Sequence, residues 1–213
     1  MGIGHYLKEI GRGKDGARSL TREQAADLLG QVLDAQVTDL EVGAFCLAMR
    51  IKGETPDEMA GFLDAVHLRL TALPAFDEQA TVVIPCYNGA RKLPALAPLL
   101  ALLLSHQGVR VCLHGTPTES RRTTSFEVLE VLGYKRLSNV EQANSGLNLV
   151  PTEILCPALK KLLDVRRVVN LRNPAHSLVK LMNPCRGPAL IVSSYTHPEY
   201  AVSMAQTFKL TQA

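Results

Sequence analysis

Apolar residues recur at helical spacing through the first third of the chain. One run is Ala25, Leu28, Leu29, Val32 and Leu33; a second is Leu40, Ala44, Leu47, Ala48 and Ile51; a third is Met59, Phe62, Leu63, Val66 and Leu70. Each run opens on a threonine with Gln or Glu three residues on: Thr21 with Gln24, Thr38 with Glu41, Thr55 with Glu58. That spacing lets the hydroxyl accept from the backbone amide at the third helical position while the longer side chain reaches back to the cap amide. Pro56 suits a first helical position, and Asp57 and Glu58 sit where the helix dipole favours acids. Gly53 closes the second helix. The pattern predicts an antiparallel helical unit over residues 6–72.

Near Pro74 the pattern changes. Residues 81–84 read as a buried strand and 109–113 as another, with an apolar helix reaching about Gln107 between them. A helix over 125–132 follows. Strand, loop and helix in alternation predict an α/β domain with a largely parallel sheet. Further on, 152–163 and 178–181 read as helices, 188–193 as a strand and 198–208 as a final helix. Two domains are therefore expected: helices over 1–73, joined by a segment near 158–185, and an α/β domain over 74–213.

Composition narrows the class. Hydrophobic residues make up 46% of 213, which excludes a disordered chain, and with 5% aromatics and no Trp the core must be aliphatic. The five cysteines lie more than ten residues apart, so neither a zinc motif nor a disulfide framework is spaced for; scattered thiols point to the cytoplasm. The longest apolar run, 93–104, is too short to cross a bilayer and contains Pro94 and Pro98, and residues 1–16 carry no signal-peptide core. No membrane role is expected. The formal charge of +3 hides an asymmetry. Residues 1–72 carry eight Lys/Arg against eleven Asp/Glu, and residues 73–213 fifteen against nine. Within 158–187 seven basic residues face one acid, Asp164, a surplus that suits a polyanionic partner.

Leu20-Thr21-Arg22-Glu23-Gln24-Ala25, Gly43-Ala44-Phe45 and Arg50-Ile51-Lys52-Gly53-Glu54-Thr55-Pro56-Asp57-Glu58 resemble the N-terminal helical domain of anthranilate phosphoribosyltransferases and pyrimidine nucleoside phosphorylases. His114-Gly115, Glu127-Val128-Leu129-Glu130, Leu132-Gly133 and Tyr195 to Tyr200 resemble later landmarks of the same family, in order. The resemblance implies the class IV phosphoribosyltransferase fold, a small helical domain and a larger α/β domain with substrate between them. It also implies a homodimer through the helical domain. Family members are longer, so the C-terminal part is expected to lie beyond residue 213.

The family holds the diphosphate of phosphoribosyl pyrophosphate and its Mg²⁺ with Gly-Thr-Gly-Gly-Asp after the first strand. Here that position reads Pro85-Cys86-Tyr87-Asn88-Gly89: proline removes a donor, tyrosine adds bulk, and the acid is gone. Thr116 replaces the asparagine after His114-Gly115, and the arginine expected to hold anthranilate falls near Lys160 or Lys161. Tyr87, Asn88, Gly89, His114, Gly115 and Thr116 are thus a vestigial substrate site, with no catalytic or metal-binding residue and no cofactor expected. Tyr87 to Lys92 resembles the loop of the YbiB-type bacterial branch, which implies DNA binding without sequence preference, loss of transferase activity and a tie to the DNA-damage response. The expected partner is a DNA or RNA backbone held by Arg91, Lys92, Arg121, Arg122, Lys160, Lys161, Arg166, Arg167 and Arg172. Such cations neutralise phosphates and release counterions without reading bases. Each has a plainer reading as a solvated helix end or loop. The alternative is a diverged phosphoribosyltransferase using Mg²⁺ and phosphoribosyl pyrophosphate, for which His114-Gly115 is the motive. Cys86 reads as a structural thiol and His197-Pro198-Glu199 as a helix start.

Overall fold

The computed structural model describes residues 2–13, 15–76, 79–90, 92–119 and 121–211. The chain divides into two compact units, one formed by Met1–Arg69, Lys161–Leu181 and Ser194–Ala213, the other by Leu70–Lys160 and Met182–Ser193.

The first unit opens with α1 (Gly4–Ile10), α2 (Arg22–Leu33), α3 (Asp39–Lys52) and α4 (Pro56–His67). All three predicted capping boxes form, at Thr21, Thr38 and Thr55. The Thr55 box does more than cap. Glu58 is wholly buried, and its carboxylate accepts from the Leu20 and Thr55 amides, each at 2.9 Å, and from Lys52 Nζ at 2.6 Å. A buried carboxylate is tolerable only with such partners. α4 is the central helix, buried on almost every side. Gly61 lets α2 reach it: a Cβ there would lie 2.1 Å from the Arg22 carbonyl oxygen.

α3 reverses the expected face. Phe45, Cys46 and Met49 are buried, whereas Leu40, Leu47 and Ile51 of the predicted stripe are 84%, 49% and 55% exposed. The helix carries two apolar stripes, and periodicity alone does not rank them. The last helix, α10 (Pro198–Thr211), is also a correction. The change of pattern at Pro74 places residues 194–213 in the α/β domain, yet α10 packs on α4. Arg22 ties them, donating Nη1 to the Leu210 carbonyl at 2.8 Å while Nε and Nη2 hold the Asp64 carboxylate.

The second unit contains β1 (Thr81–Pro85), α5 (Ala97–His106), β2 (Val111–Gly115), α6 (Ser125–Val131), β3 (Leu147–Pro151), α7 (Thr152–Leu155) and β4 (Ala189–Ile191); helix α8 (Pro157–Val169) crosses the division between Lys160 and Lys161, and α9 (Ala175–Leu178) lies in the first unit. The sheet is parallel in the order β3-β2-β1-β4. On one face Ile84, Val111, Leu113 and Leu149 pack with Ala101, Phe126 and Leu129. β3 has no sequence signal of its own: five residues interrupted by Asn148 and ended by Pro151. Asn148 is satisfied locally, accepting from the Asn144 amide at 2.9 Å and donating to its carbonyl at 2.9 Å. β2 begins two residues later than expected. The predicted helix over 152–163 is broken at Cys156, which is extended because Pro157 follows it. α9 precedes the predicted 178–181 helix. Among the described residues, no helix is long and apolar enough to cross a membrane.

Candidate functional site

β1 and β2 run side by side, with Pro85 opposite His114 at their carboxyl ends. Ligands of parallel α/β sheets bind at this end, where loops and helix starts converge. Here the two loops are fastened to each other. The Cys86 amide donates to the His114 carbonyl at 2.7 Å and the Ala90 amide to the Thr123 carbonyl at 2.7 Å; the Thr118 hydroxyl donates to the Tyr87 carbonyl at 3.0 Å. Two glycines permit this approach. A Cβ on Gly115 would lie 2.3 Å from the Cys86 oxygen, and one on Gly89 would lie 2.6 Å from the Thr123 oxygen.

Tyr87 turns inward and is 5% exposed. Its hydroxyl lies 2.9 Å from His114 Nδ1 and 2.9 Å from Thr152 Oγ1, with the Tyr87 and His114 rings edge to face. Burial pushes His114 down to about 3, so the ring is neutral at pH 7. Burial likewise raises the Tyr87 phenol. Thr116, just past β2, is buried with its hydroxyl 3.5 Å from Glu153 Oε1. Asn88 is exposed. Thr152 is the member of this cluster that sequence reading missed; a threonine opening a helix straight after a strand was its only signal.

A diphosphate with Mg²⁺ needs open amides, room for close approach and an acid. The amides of Cys86 and Ala90 are spent within the protein, Tyr87 fills the interior, and residues 86–90 contain no acid. The residues present do not fit that group. Burial pushes the Cys86 thiol up to about 11, which favours its protonated form at pH 7.

The predicted cations fall in both units: Lys92, Arg121, Arg122 and Lys160 in the second, and Lys161, Arg166, Arg167 and Arg172 in the first. An antiparallel bridge between Ala90 and Thr123 brings exposed Lys92 close to the loop of exposed Arg121, in the second unit. Arg91 lies outside the described residues. Arg122 is half-buried and pairs with Glu119 at 2.6 Å. On α8, Lys160, Lys161 and Arg167 share a side with Asp164, which pairs with Arg167 at 3.1 Å. Arg166 is displaced from that set: helical spacing puts it beside buried Leu162 and Leu163, and it is half-buried. Arg172 lines a cavity of about 690 Å³ in the first unit together with Arg50, Lys52 and Lys180. Burial first, and the Arg172 charge second, hold Lys180 below the usual amine range. Lys180 belongs to the basic run but was not singled out from sequence. Among the described residues, no three His, Cys, Asp or Glu side chains gather as metal ligands.

Residues 5–67 match the helical bundle domain of the glycosyl transferase family. The chain is 40% identical over 211 residues to the uncharacterized protein YbiB of Escherichia coli (strain K12), covering 95% of this chain and 65% of YbiB. It is 28% identical to the anthranilate phosphoribosyltransferase of Dictyoglomus thermophilum, covering 91% of this chain and 58% of that protein. The crystal structure of anthranilate phosphoribosyltransferase (TrpD) from Thermus thermophilus shares the fold, with a TM-score of 0.82 at 22% identity over 98% of this chain and 63% of that one. The chain thus spans less than two thirds of these relatives' length. The capped helical bundle, the parallel sheet and these likenesses agree: residues 5–67 match the helical bundle domain of the glycosyl transferase family, and the chain as a whole is similar to YbiB and to anthranilate phosphoribosyltransferases.

Proposed function

We propose that this phosphoribosyltransferase-like scaffold binds the phosphate backbone of a nucleic acid, DNA first, and does not transfer phosphoribosyl groups. The fastened loop after β1 carries this reading: its Cys86 and Ala90 amides are bonded within the protein, and Tyr87 brings a buried ring where the glycine-rich loop of a phosphate cradle would stand. Exposed cations on the same loops, Lys92 and Arg121, and on α8, Lys161, support it. Aromatic side chains for base stacking are missing from these stretches, since Tyr87 is buried, so affinity rests on backbone charge rather than stacking. With about six phosphates neutralised, log K against log salt should slope near −5, roughly a thousandfold loss from 50 to 200 mM salt. Titration of a generic duplex across that range tests this. Lys92→Glu, Arg121→Glu and Lys161→Glu together should weaken binding alike on any sequence. Salt-independent binding, or binding indifferent to the triple reversal, would sink the reading.

A second reading is favoured by the relatives named anthranilate phosphoribosyltransferase and by the retained His114-Gly115: a transferase with an altered site for phosphoribosyl pyrophosphate and Mg²⁺. Calorimetry with those two ligands separates the readings. Saturable micromolar binding favours the transferase; none favours the nucleic acid.

We also infer that a second copy covers the first helical unit. Leu40, Leu47 and Ile51 are exposed on α3, and Leu7, Ile10, Ala44 and Ala48 line an apolar groove of 330 Å³ between α1 and α3. An apolar face of this kind marks an interaction surface.

A further inference from the structure

Arg110 stands directly before β2 and is 1% exposed, yet no carboxylate pairs with it among the described residues. Its Nε donates to the Asn144 carbonyl at 3.1 Å, its Nη1 to the Pro74 carbonyl at 3.1 Å, and the guanidinium lies over the Phe76 ring at 4.7 Å. Nη2 has no hydrogen-bond partner among the described residues. The guanidinium charge favours the anionic form of an ionisable group beside it.

Two thiols supply that group. Cys112 is two residues beyond Arg110, so both side chains leave the strand on the same side. Cys185 is brought there by the bridge between Leu73 and Cys185, secured by the Leu73 amide on the Pro184 carbonyl at 2.8 Å and the Arg186 amide on the Leu73 carbonyl at 3.2 Å. Pro74, the next residue, is the one that holds Arg110 Nη1. The Cys112 and Cys185 thiols are hydrogen-bonded to each other, and Cys185 also to Thr81. They are unlike partners. Burial raises the fully buried Cys112, whereas the hydrogen bond from Cys112, and then the Arg110 charge, lower the half-buried Cys185.

We propose that Cys185 and Cys112 are a redox-active dithiol that closes to a reversible disulfide under hydrogen peroxide, with Cys185 as the attacking thiol and Arg110 as its positioning charge. The Cys185 thiolate attacks one peroxide oxygen; the O–O bond breaks, hydroxide leaves and Cys185 becomes a sulfenic acid. The Cys112 sulfur then attacks the Cys185 sulfur. The S–O bond breaks, the hydroxyl leaves with the Cys112 proton as water, and the S–S bond forms. Two thiols lose two electrons to one peroxide, giving one disulfide and two waters. A low-pKa, accessible thiol beside a resolving cysteine is the arrangement such chemistry requires.

The test is peroxide treatment of the folded chain, alkylation of remaining thiols and peptide mass mapping. The expected product has lost two hydrogens, joins the Cys112 and Cys185 peptides, leaves Cys46, Cys86 and Cys156 alkylated, and reverts with dithiothreitol. Cys112→Ser should leave a Cys185 sulfenic acid trapped by dimedone, and Cys185→Ser should leave Cys112 unreacted. Oxidation of Cys185 to sulfinic acid with Cys112 still a thiol, or no cross-link at all, overturns the proposal. For Arg110, the pH midpoint of Cys185 alkylation by iodoacetamide should rise by about one unit in Arg110→Gln and stay in place in Arg110→Lys, with circular dichroism checking the fold. An unmoved midpoint in a folded Arg110→Gln variant removes Arg110 from the account.

Discussion

His114 shows how far one residue's setting can depart from its type. Exposed histidine titrates near 6.5. Buried beneath Tyr87, this one is held to about 3. The unfolded chain therefore takes up a proton between roughly pH 6.5 and 3 that the folded chain refuses. Stability contributed by the neutral ring is full above the unfolded value and is lost as pH falls through that window, by up to about 1.4 kcal/mol per pH unit. Urea unfolding of the wild type and His114→Gln between pH 7 and 4 checks this: the wild-type curve should fall more steeply, and parallel curves would contradict it. At this scale the sequence was informative about Tyr87, whose bulk where small residues belong already argued against a phosphate cradle. It was silent on Thr152 and on Arg110, because a buried polar group is defined by its partners, and those lie tens of residues away.

Element boundaries followed local chemistry. Three capping boxes stood in the sequence and all three formed; a fourth at Thr124 and Glu127, starting α6, carries the same signature and was passed over. How elements meet was not local. α2 touches α4 through Gly61, and α3 buries Phe45 and Met49 rather than Leu47 and Ile51. Gly61→Ala should cost about 1–3 kcal/mol, since its methyl would meet the Arg22 carbonyl, the Ala25 Cβ and the Ala26 amide, none of which can swing aside. Gly43→Ala, where a Cβ meets nothing within 4 Å, should stabilise α3 by about 0.5–1 kcal/mol. Chemical denaturation of both variants measures the contrast; equal effects would mean that α2 and α4 are not in contact at Gly61. β3 lay beyond sequence reading for a related reason: five residues beside β2 gain their order from the ladder they complete.

At the scale of the molecule, the exposed α3 stripe becomes a prediction about assembly. Leu47→Asp with Ile51→Asp should convert a dimer into a folded monomer at micromolar concentration, read by light scattering after size exclusion. A wild type that already runs at the mass of one chain would refute the interface. The basic surplus is likewise a property of the whole. Sequence counted it correctly, but Asp164 and Glu119 pair with two of its arginines, and Arg166 lies on the buried side of α8. What could be read along the chain was whatever neighbours in sequence decide: caps, helical periodicity, the change of pattern near Pro74 and the altered loop after β1. The units to which α8, α9 and α10 belong, the stripe that α3 buries, and the meeting of Arg110 with Cys112 and Cys185 depended on contacts between residues far apart in sequence. Such contacts form only where burial of one surface excludes the competing one, and that competition is settled in three dimensions.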